Sequence, residues 1–403
     1  MKVSRQEKGI VSHYKREPYL IVHTEQSQRK DVYGAIGSNV VLQAQHLRGE
    51  TQADTAIIGM HPIGAPGYLP MFSQLGRSGF DVVACATRFS TGDASLQMES
   101  VLADLGACVR DTRERLGYEK VVLAGWSGGG AVMAGYVAES TQRVITTTAS
   151  GERTPLVDAE LLPVDGLLLM ATHRSRHHLL TGQLDASITD EQRPDVGRRP
   201  EFDLYDPDNA AQPPYSDGFL SEYREAQLER NRRITFWVKE QLAALVAEER
   251  FAEERSFVVH GTMADPRWLD VTVDPNDRKP NMTYMGEPGV VNNSPAGLGR
   301  FTSLRSWLSQ WSYDDAQVDI VDAGPRIHIP TLLITAGADD ACPVEHTAQI
   351  EAAIASSDFS SYTVAHADHY FAGPDGRAHL AEALGEIGSW MSDRGFRTRE
   401  ASA

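Results

Sequence analysis

The sequence predicts an α/β protein with a mostly parallel, doubly wound sheet. Two observations support this. Short apolar runs alternate with helical stretches up to about residue 140, and two more such runs, at 167–171 and 330–336, lie far apart in the chain. The order strand, helix, strand, helix, strand requires right-handed crossovers and covers both faces of the sheet. At 403 residues the chain exceeds the usual size of one compact domain, so we expect a second unit.

The first elements predict the edge of the sheet and its first parallel strands. Residues 19–23 and 39–44 form antiparallel strands joined through a turn at 34–37. A buried strand follows at 55–60, then a loop at 61–67, a helix starting at 71–75 and a strand at 80–86. The stretch 96–116 is a helix whose apolar residues share one face. These residues are Met98, Val101, Leu102, Leu105 and Val109.

The centre of the chain is a strand at 121–126 that meets a helix at 131–138 with almost no connection between them. Ser127 stands at this turn in the pattern Gly125-x-Ser127-x-Gly129. So tight a reversal strains the central residue, and glycines on either side permit the close backbone approach. The stretch resembles the nucleophile elbow of the α/β-hydrolase family, which lifts a serine to the carboxyl end of a parallel sheet.

About 150 residues separate the strands at 167–171 and 330–336, far more than one crossover helix needs. We therefore expect a large, mainly helical cap inserted before the strand that carries the acid. The predicted division is a core at 1–172 and 326–403 with a cap at 173–325. The cap holds an acidic loop at 201–218, a long helix at 219–254, a Gly/Asn/Pro-rich stretch at 274–299 and an aromatic helix around Trp307 and Trp311.

The resemblance implies a serine, acid and histidine in that chain order. The acid follows the strand at 330–336. Counting from Pro330 and Pro343 favours Asp339, whereas counting from Gly337 favours Asp340. One of the two aspartates is also expected to cap the helix that begins near residue 344.

The implied base is His369, in a loop between a strand at 362–364 and a helix at 378–391, with His366 as a nearby competitor. The implied oxyanion donors are the backbone N–H groups of Gly128 and Ile63. Ile63 is named because Pro62 stands where the family often has glycine and lacks an N–H. The ring of His61 is expected to support this loop.

Other chemistries fit less well. The glycines at 128–130 are not followed by the Lys and Ser/Thr of a phosphate-binding loop, and no dinucleotide fingerprint follows the first strand. His173, His177 and His178 could in principle bind a metal, but no glutamate lies between the spaced pair, so we place them at the junction with the cap and predict no metal site. The three cysteines, Cys85, Cys108 and Cys342, give no disulfide framework.

The resemblance implies an esterase- or lactonase-type serine hydrolase without a cofactor. Ser127 would attack the carbonyl of an ester or lactone, or of a thioester or amide, and water would clear the acyl-enzyme. Aromatic residues favour a hydrophobic small-molecule substrate, with Trp126, Trp307 and Trp311 as candidate binding residues. An acyltransferase or a carbon–carbon bond hydrolase could use the same triad, and a non-catalytic binding protein on this scaffold is the remaining alternative.

The composition limits the partners. A formal net charge of −17 argues against binding to nucleic acid or an anionic membrane surface. No apolar run is long enough for a signal peptide or a membrane span, so we expect a cytoplasmic protein. The long helix at 219–254 could pack against a second subunit, which makes a homodimer possible.

Overall fold

The computed structural model describes residues 14–26, 32 and 38–396. The predicted turn at 34–37 and the amino-terminal residues 1–8 lie outside the described residues. None of the helices in the described part of the chain is both long and apolar enough to cross a membrane.

The described residues form one large sheet and a small separate one. The strands, numbered in chain order, are β1 (Lys15–Thr24), β2 (Asn39–Arg48), β3 (Thr55–Gly59), β4 (Asp81–Cys85), β5 (Lys120–Trp126), β6 (Gly166–Met170), β7 (Ser256–Val258), β8 (Phe301–Ser303), β9 (Thr331–Ala336) and β10 (Phe359–Val364). The large sheet has the order β1-β2-β4-β3-β5-β6-β9-β10, and β7 pairs only with β8. All neighbours in the large sheet are parallel except those of β2.

Helices connect the strands. In chain order they are α1 (Pro70–Arg77), α2 (Met98–Arg110), α3 (Gly128–Thr141), α4 (Arg176–Thr181), α5 (Asp217–Ala247), α6 (Pro288–Val291), α7 (Leu304–Gln310), α8 (Ile320–Ala323), α9 (Val344–Ala353) and α10 (Gly376–Asp393). The predicted apolar face of α2 is buried throughout. This helix ends earlier than predicted, because the chain continues from it as a single π turn at Asp111–Arg115.

The sheet is covered on both faces, as the strand and helix order predicts. Alternate residues of β5 enter different clusters: Val121 and Leu123 pack with α2 and α3, whereas Val122 and Ala124 pack with α1 and α10. The four strands β3 to β6 are almost entirely buried, which matches their short continuous apolar runs. The β1–β2 edge alternates between more buried and more exposed residues, and its antiparallel pairing confirms the predicted edge.

The insertion, defined here as residues 171–330, joins β6 to β9, which are adjacent parallel strands. It contains α4 to α8 together with β7 and β8. The predicted long helix is present as α5, which begins after Ser216, whose hydroxyl accepts a hydrogen bond from the Phe219 N–H at 3.2 Å. The small sheet was not predicted, because three-residue strands are too short to show a period. The division of the chain into core and cap stays a prediction.

Candidate active site

Ser127 lies at the sharp turn between β5 and α3, at the carboxyl edge of the sheet. Its backbone adopts φ 51° and ψ −122°, a conformation that costs a non-glycine residue about 1–3 kcal/mol. The flanking glycines are required by contact. A Cβ on Gly125 would lie 2.5 Å from the Gly129 carbonyl carbon, and one on Gly129 would lie 2.5 Å from the Met60 oxygen. The turn therefore has the strained strand–turn–helix geometry that the glycine spacing predicts.

The segment after β6 holds this turn from the side. The Ser127 N–H donates to the Met170 carbonyl at 3.0 Å, and the Thr172 hydroxyl donates to the Ser127 carbonyl at 2.6 Å. A side chain on Gly130 would collide with Thr172. The chain that leaves β6 therefore packs directly on the elbow and brings the next residue, His173, beside it.

His369 and Asp339 come together because their loops leave the neighbouring parallel strands β9 and β10. The Gly337 N–H donates to the Val364 carbonyl and the Ala338 N–H to the Ala367 carbonyl, both at 2.8 Å. His369 Nδ1 then lies 3.0 Å from Asp339 Oδ2 and 3.1 Å from Oδ1. Burial lowers the pKa of His369, but the Asp339 carboxylate outweighs this effect, and the pKa is raised overall.

Asp340, the alternative acid, does not bind His369. Its backbone carbonyl accepts a hydrogen bond from Trp268 Nε1 at 2.6 Å, which turns the residue toward the insertion. Burial and the adjacent Asp339 carboxylate raise the pKa of Asp340 to about 6. The structure thus pairs the histidine with Asp339, the residue favoured by two of the three sequence landmarks.

Neither aspartate caps α9, contrary to expectation. The Asp339 carboxylate accepts hydrogen bonds from the backbone of its own loop, from Ala341 and Cys342, both at 2.8 Å. The cap comes from the insertion: Asp274 accepts from the N–H groups of Val344 at 2.7 Å and Glu345 at 2.9 Å. Sequence spacing gave no signal for a cap supplied from 70 residues away.

His369 lies over the end of β5. Its ring centroid is 6.3 Å from that of Trp126 in an edge-on arrangement, and Trp126 makes a similar contact with Phe371. Because Trp126 directly precedes Ser127, this contact brings the His369 loop to the elbow. The competing His366 is exposed and pairs with Asp277 of the insertion at 2.8 Å, away from the dyad.

The architecture agrees with solved structures whose sequences differ strongly. A siderophore hydrolase, EstB from Aspergillus fumigatus, superposes with a TM-score of 0.51 at 11% identity, over 92% of this chain and 98% of that one. The chain has the α/β-hydrolase fold. GrgF from Penicillium sp. sh18, described as an alpha/beta hydrolase, superposes with a TM-score of 0.49 at 8% identity, over 94% and 99% of the two chains. No family model matches the sequence, and no curated protein matches it.

One of the two predicted oxyanion donors of this α/β-hydrolase fold is turned away. Gly128 is the first residue of α3, where a helix leaves its backbone N–H without an intrahelical partner. The Ile63 N–H instead points at His61 Nδ1, 3.3 Å away, while the Ile63 carbonyl lies 2.7 Å from the same nitrogen. The structure therefore does not support Ile63 as an oxyanion donor, because its N–H faces its own loop. His61 supports that loop as expected.

The predicted substrate-binding tryptophans of the insertion need a second correction. Trp307 and Trp311 are both 0% exposed and stack on each other at 5.2 Å among aliphatic residues of the insertion. Their indole N–H groups are satisfied internally, by Thr235 at 2.9 Å and by the Gly299 carbonyl at 3.1 Å. They form the core of the insertion, because large aromatic residues stabilise a small helical unit. Trp126 lies beneath His369 and packs against it.

The structure adds residues that the sequence did not single out. The Tyr284 ring lies 6.0 Å from that of His369, and its hydroxyl is 3.7 Å from Met263 Sδ. Arg176 is buried beside the site, where it pairs with Asp93 and donates to Gln310 at 2.7 Å. Tyr284 could not be predicted, since its Gly/Asn/Pro-rich stretch has no period. Arg176 follows His173 by three residues, and this position near the predicted junction histidines is a signal that could have identified it.

Among the residues that the structure describes, two clusters have the spacing of metal ligands, but neither is assigned a metal. In the first, His177 and His178 approach Asp319, whose two carboxylate oxygens already share the Arg174 Nε–H, at 2.9 and 3.2 Å. The second consists of Asp339, His369 and Cys342. The Cys342 thiol donates to the Ala171 carbonyl at 3.1 Å, and burial raises its pKa, which disfavours the thiolate that a metal requires.

Proposed function

We propose that this protein is a serine hydrolase that cleaves a carboxylic ester or lactone through an acyl-enzyme on Ser127. The observations that carry the proposal are the strained Ser127 at the elbow and the buried His369–Asp339 pair, whose histidine contacts Trp126, the residue before Ser127. A serine hydroxyl is a poor nucleophile until a base takes its proton, and a carboxylate that holds the base in one tautomer makes the transfer effective.

The reaction proceeds in two halves. His369 Nε2 accepts the proton of Ser127 Oγ as the oxygen bonds to the substrate carbonyl carbon. The imidazolium, stabilised by Asp339, returns the proton to the leaving alkoxide as the carbon–oxygen bond breaks. Water then attacks the acyl-enzyme by the same route and releases the acid and the free serine. The Gly128 N–H stabilises the oxyanion in both halves.

The proposed substrate carries an apolar or aromatic group near the reacting carbonyl. The support for this part of the proposal is that the rings of Tyr284 and Tyr370 lie 6.0 Å and 4.9 Å from that of His369. Trp307 and Trp311 do not support it, because they are buried in the core of the insertion. The insertion contacts the acid loop through Trp268 and Asn276, which supports the proposal that its residues form one wall of the site.

A panel of p-nitrophenyl esters with acyl chains of increasing length tests the proposal. The wild type should hydrolyse at least part of the panel, with faster turnover for apolar than for short, charged acyl groups. Ser127→Ala should lose this activity while it unfolds at the same temperature, since the hydroxyl fills little volume. A Ser127→Ala protein as active as the wild type would refute the nucleophile.

A further inference from the structure

Two imidazole rings face the residue that follows the nucleophile. A Cβ placed on Gly128 would lie 3.3 Å from His61 Nε2 and 3.5 Å from His173 Nε2. His61 comes from the loop after β3, and His173 comes from the segment that Thr172 fastens to the elbow. Both Nε2 atoms therefore lie close to Gly128, the residue whose backbone N–H is the predicted first oxyanion donor.

From this geometry we infer that the His173 side chain, through its Nε2–H, is the second oxyanion donor of the active site. The inference rests on the proposed function, because an oxyanion forms only if Ser127 attacks a carbonyl. It fills the position left open by Ile63, whose N–H is directed to His61. Acyl transfer needs such a donor, and loss of one lowers kcat by about 10²–10³-fold in a serine protease.

His61 cannot take this role. Its Nδ1 is 2.7 Å from the Ile63 carbonyl oxygen, which only accepts hydrogen bonds, so Nδ1 carries the proton and does not accept from the Ile63 N–H, which lies farther away at 3.3 Å. Burial lowers the pKa of His61 to about 4, and the ring is therefore neutral above that pH. A neutral imidazole carries one proton, which leaves His61 Nε2 as a bare acceptor.

His173 has the opposite arrangement. The side chain is 3% exposed, and within the described residues its Nδ1 is enclosed without a hydrogen-bond partner. We place the single proton of the neutral ring on Nε2, because a buried N–H without an acceptor is costly, although a backbone contact with Ser175 also acts on the ring. Burial, with the Arg176 guanidinium next, lowers the pKa of His173 to about 3, so the ring is neutral above that pH. His173 Nε2–H is thus a preorganised donor that faces Gly128.

The first test is a pair of substitutions in the full-length protein. His173→Phe keeps the ring volume and removes the donor, and should lower kcat for p-nitrophenyl esters by about 10²–10³-fold with little change in KM. His173→Gln places an amide N–H at similar reach and should recover most of the loss. His178→Gln, on the same segment but paired with Asp319, is the matched control and should leave kcat unchanged.

Two further readouts separate a donor from a structural residue. Phenylboronic acid, which forms a tetrahedral adduct with a serine, should bind His173→Phe more weakly by a factor similar to the loss in kcat. In the wild type, ¹⁵N NMR should show the proton of His173 on Nε2. A proton on Nδ1, or a folded His173→Phe with kcat within threefold of wild type, would overturn the assignment. If the wild type neither hydrolyses esters nor binds the boronate, the proposed function fails and the assignment fails with it.

Discussion

At the scale of single residues, the site depends on which carboxylate faces His369. Asp339 and Asp340 are adjacent, yet only Asp339 reaches Nδ1, because its loop is tied to the histidine loop by two backbone hydrogen bonds. Asp340 stays close enough for its charge to raise the pKa of His369. The two aspartates therefore have different, separable roles.

We expect Asp339→Asn to lower kcat by about 10⁴-fold, as the equivalent change does in a triad protease, because the amide no longer holds the required tautomer. Asp340→Asn, the matched control, should keep kcat within about one order of magnitude, since it removes charge without touching Nδ1. Steady-state kinetics with one p-nitrophenyl ester measures both. Equal losses in the two variants would contradict the assignment of the acid.

The pH profile tests the electrostatic role of Asp340. The reaction requires neutral His369, so kcat/KM rises with pH as the imidazolium loses its proton. A nearby carboxylate stabilises the imidazolium and raises the pKa of His369. Asp340→Asn should therefore lower that pKa and move the acid limb of the profile to lower pH. An acid limb that stays in place, or moves to higher pH, would show that the Asp340 charge does not act on His369.

At the scale of elements, the sequence predicted the strands and helices that position the nucleophile and the base. The apolar runs of β3 to β6 and β9 gave the central strands, and the glycine spacing gave the turn at Ser127. The sequence could not show which loop hydrogen bonds form, so Ile63 was predicted to be a donor although its N–H faces His61. The cap of α9 was misplaced for the same reason: its acceptor, Asp274, is distant in sequence.

The Asp274 cap should make a measurable contribution to stability. Its backbone has φ 52°, which glycine and asparagine tolerate better than other residues. Asp274→Gly, which removes the carboxylate and its contacts with Val344, Glu345 and Arg267 without backbone strain, should lower the free energy of unfolding by about 1–2 kcal/mol. Asp274→Asn keeps an oxygen acceptor and should lose less than half of that. Urea unfolding compares both variants with the wild type. Unfolding midpoints equal to that of the wild type would show that the cap contributes nothing.

At the scale of the whole molecule, a core sheet carries the three catalytic candidates, and the insertion between β6 and β9 reaches back to the acid loop. The Asp277 N–H donates to the Gly337 carbonyl at 3.0 Å, and Asn276 donates to the Asp339 carbonyl at 2.8 Å. The length between the two strands predicted that an insertion exists. The length could not predict which side chains of the insertion face the site. A tryptophan such as Trp307 is equally compatible with a pocket and with a core, and the structure places it in a core.

Substitution of Trp307 separates these two roles. Trp307→Ala should destabilise the protein by about 3–5 kcal/mol, because it leaves a cavity in the core of the insertion. Trp307→Phe, a smaller change, should lower the melting temperature moderately and leave the preferred acyl-chain length of the ester panel unchanged. A shifted preference in a Trp307→Phe protein of normal stability would return this residue to the binding site.

The most direct measurement of the central claim is the mapping of a fluorophosphonate adduct by peptide mass spectrometry. Our account predicts one modified residue, Ser127, in the wild type, no adduct in Ser127→Ala, and much slower labelling of His369→Gln, because the base is lost. An adduct on another residue, or a folded wild-type protein that does not react, would contradict the assignment of Ser127 as an activated nucleophile.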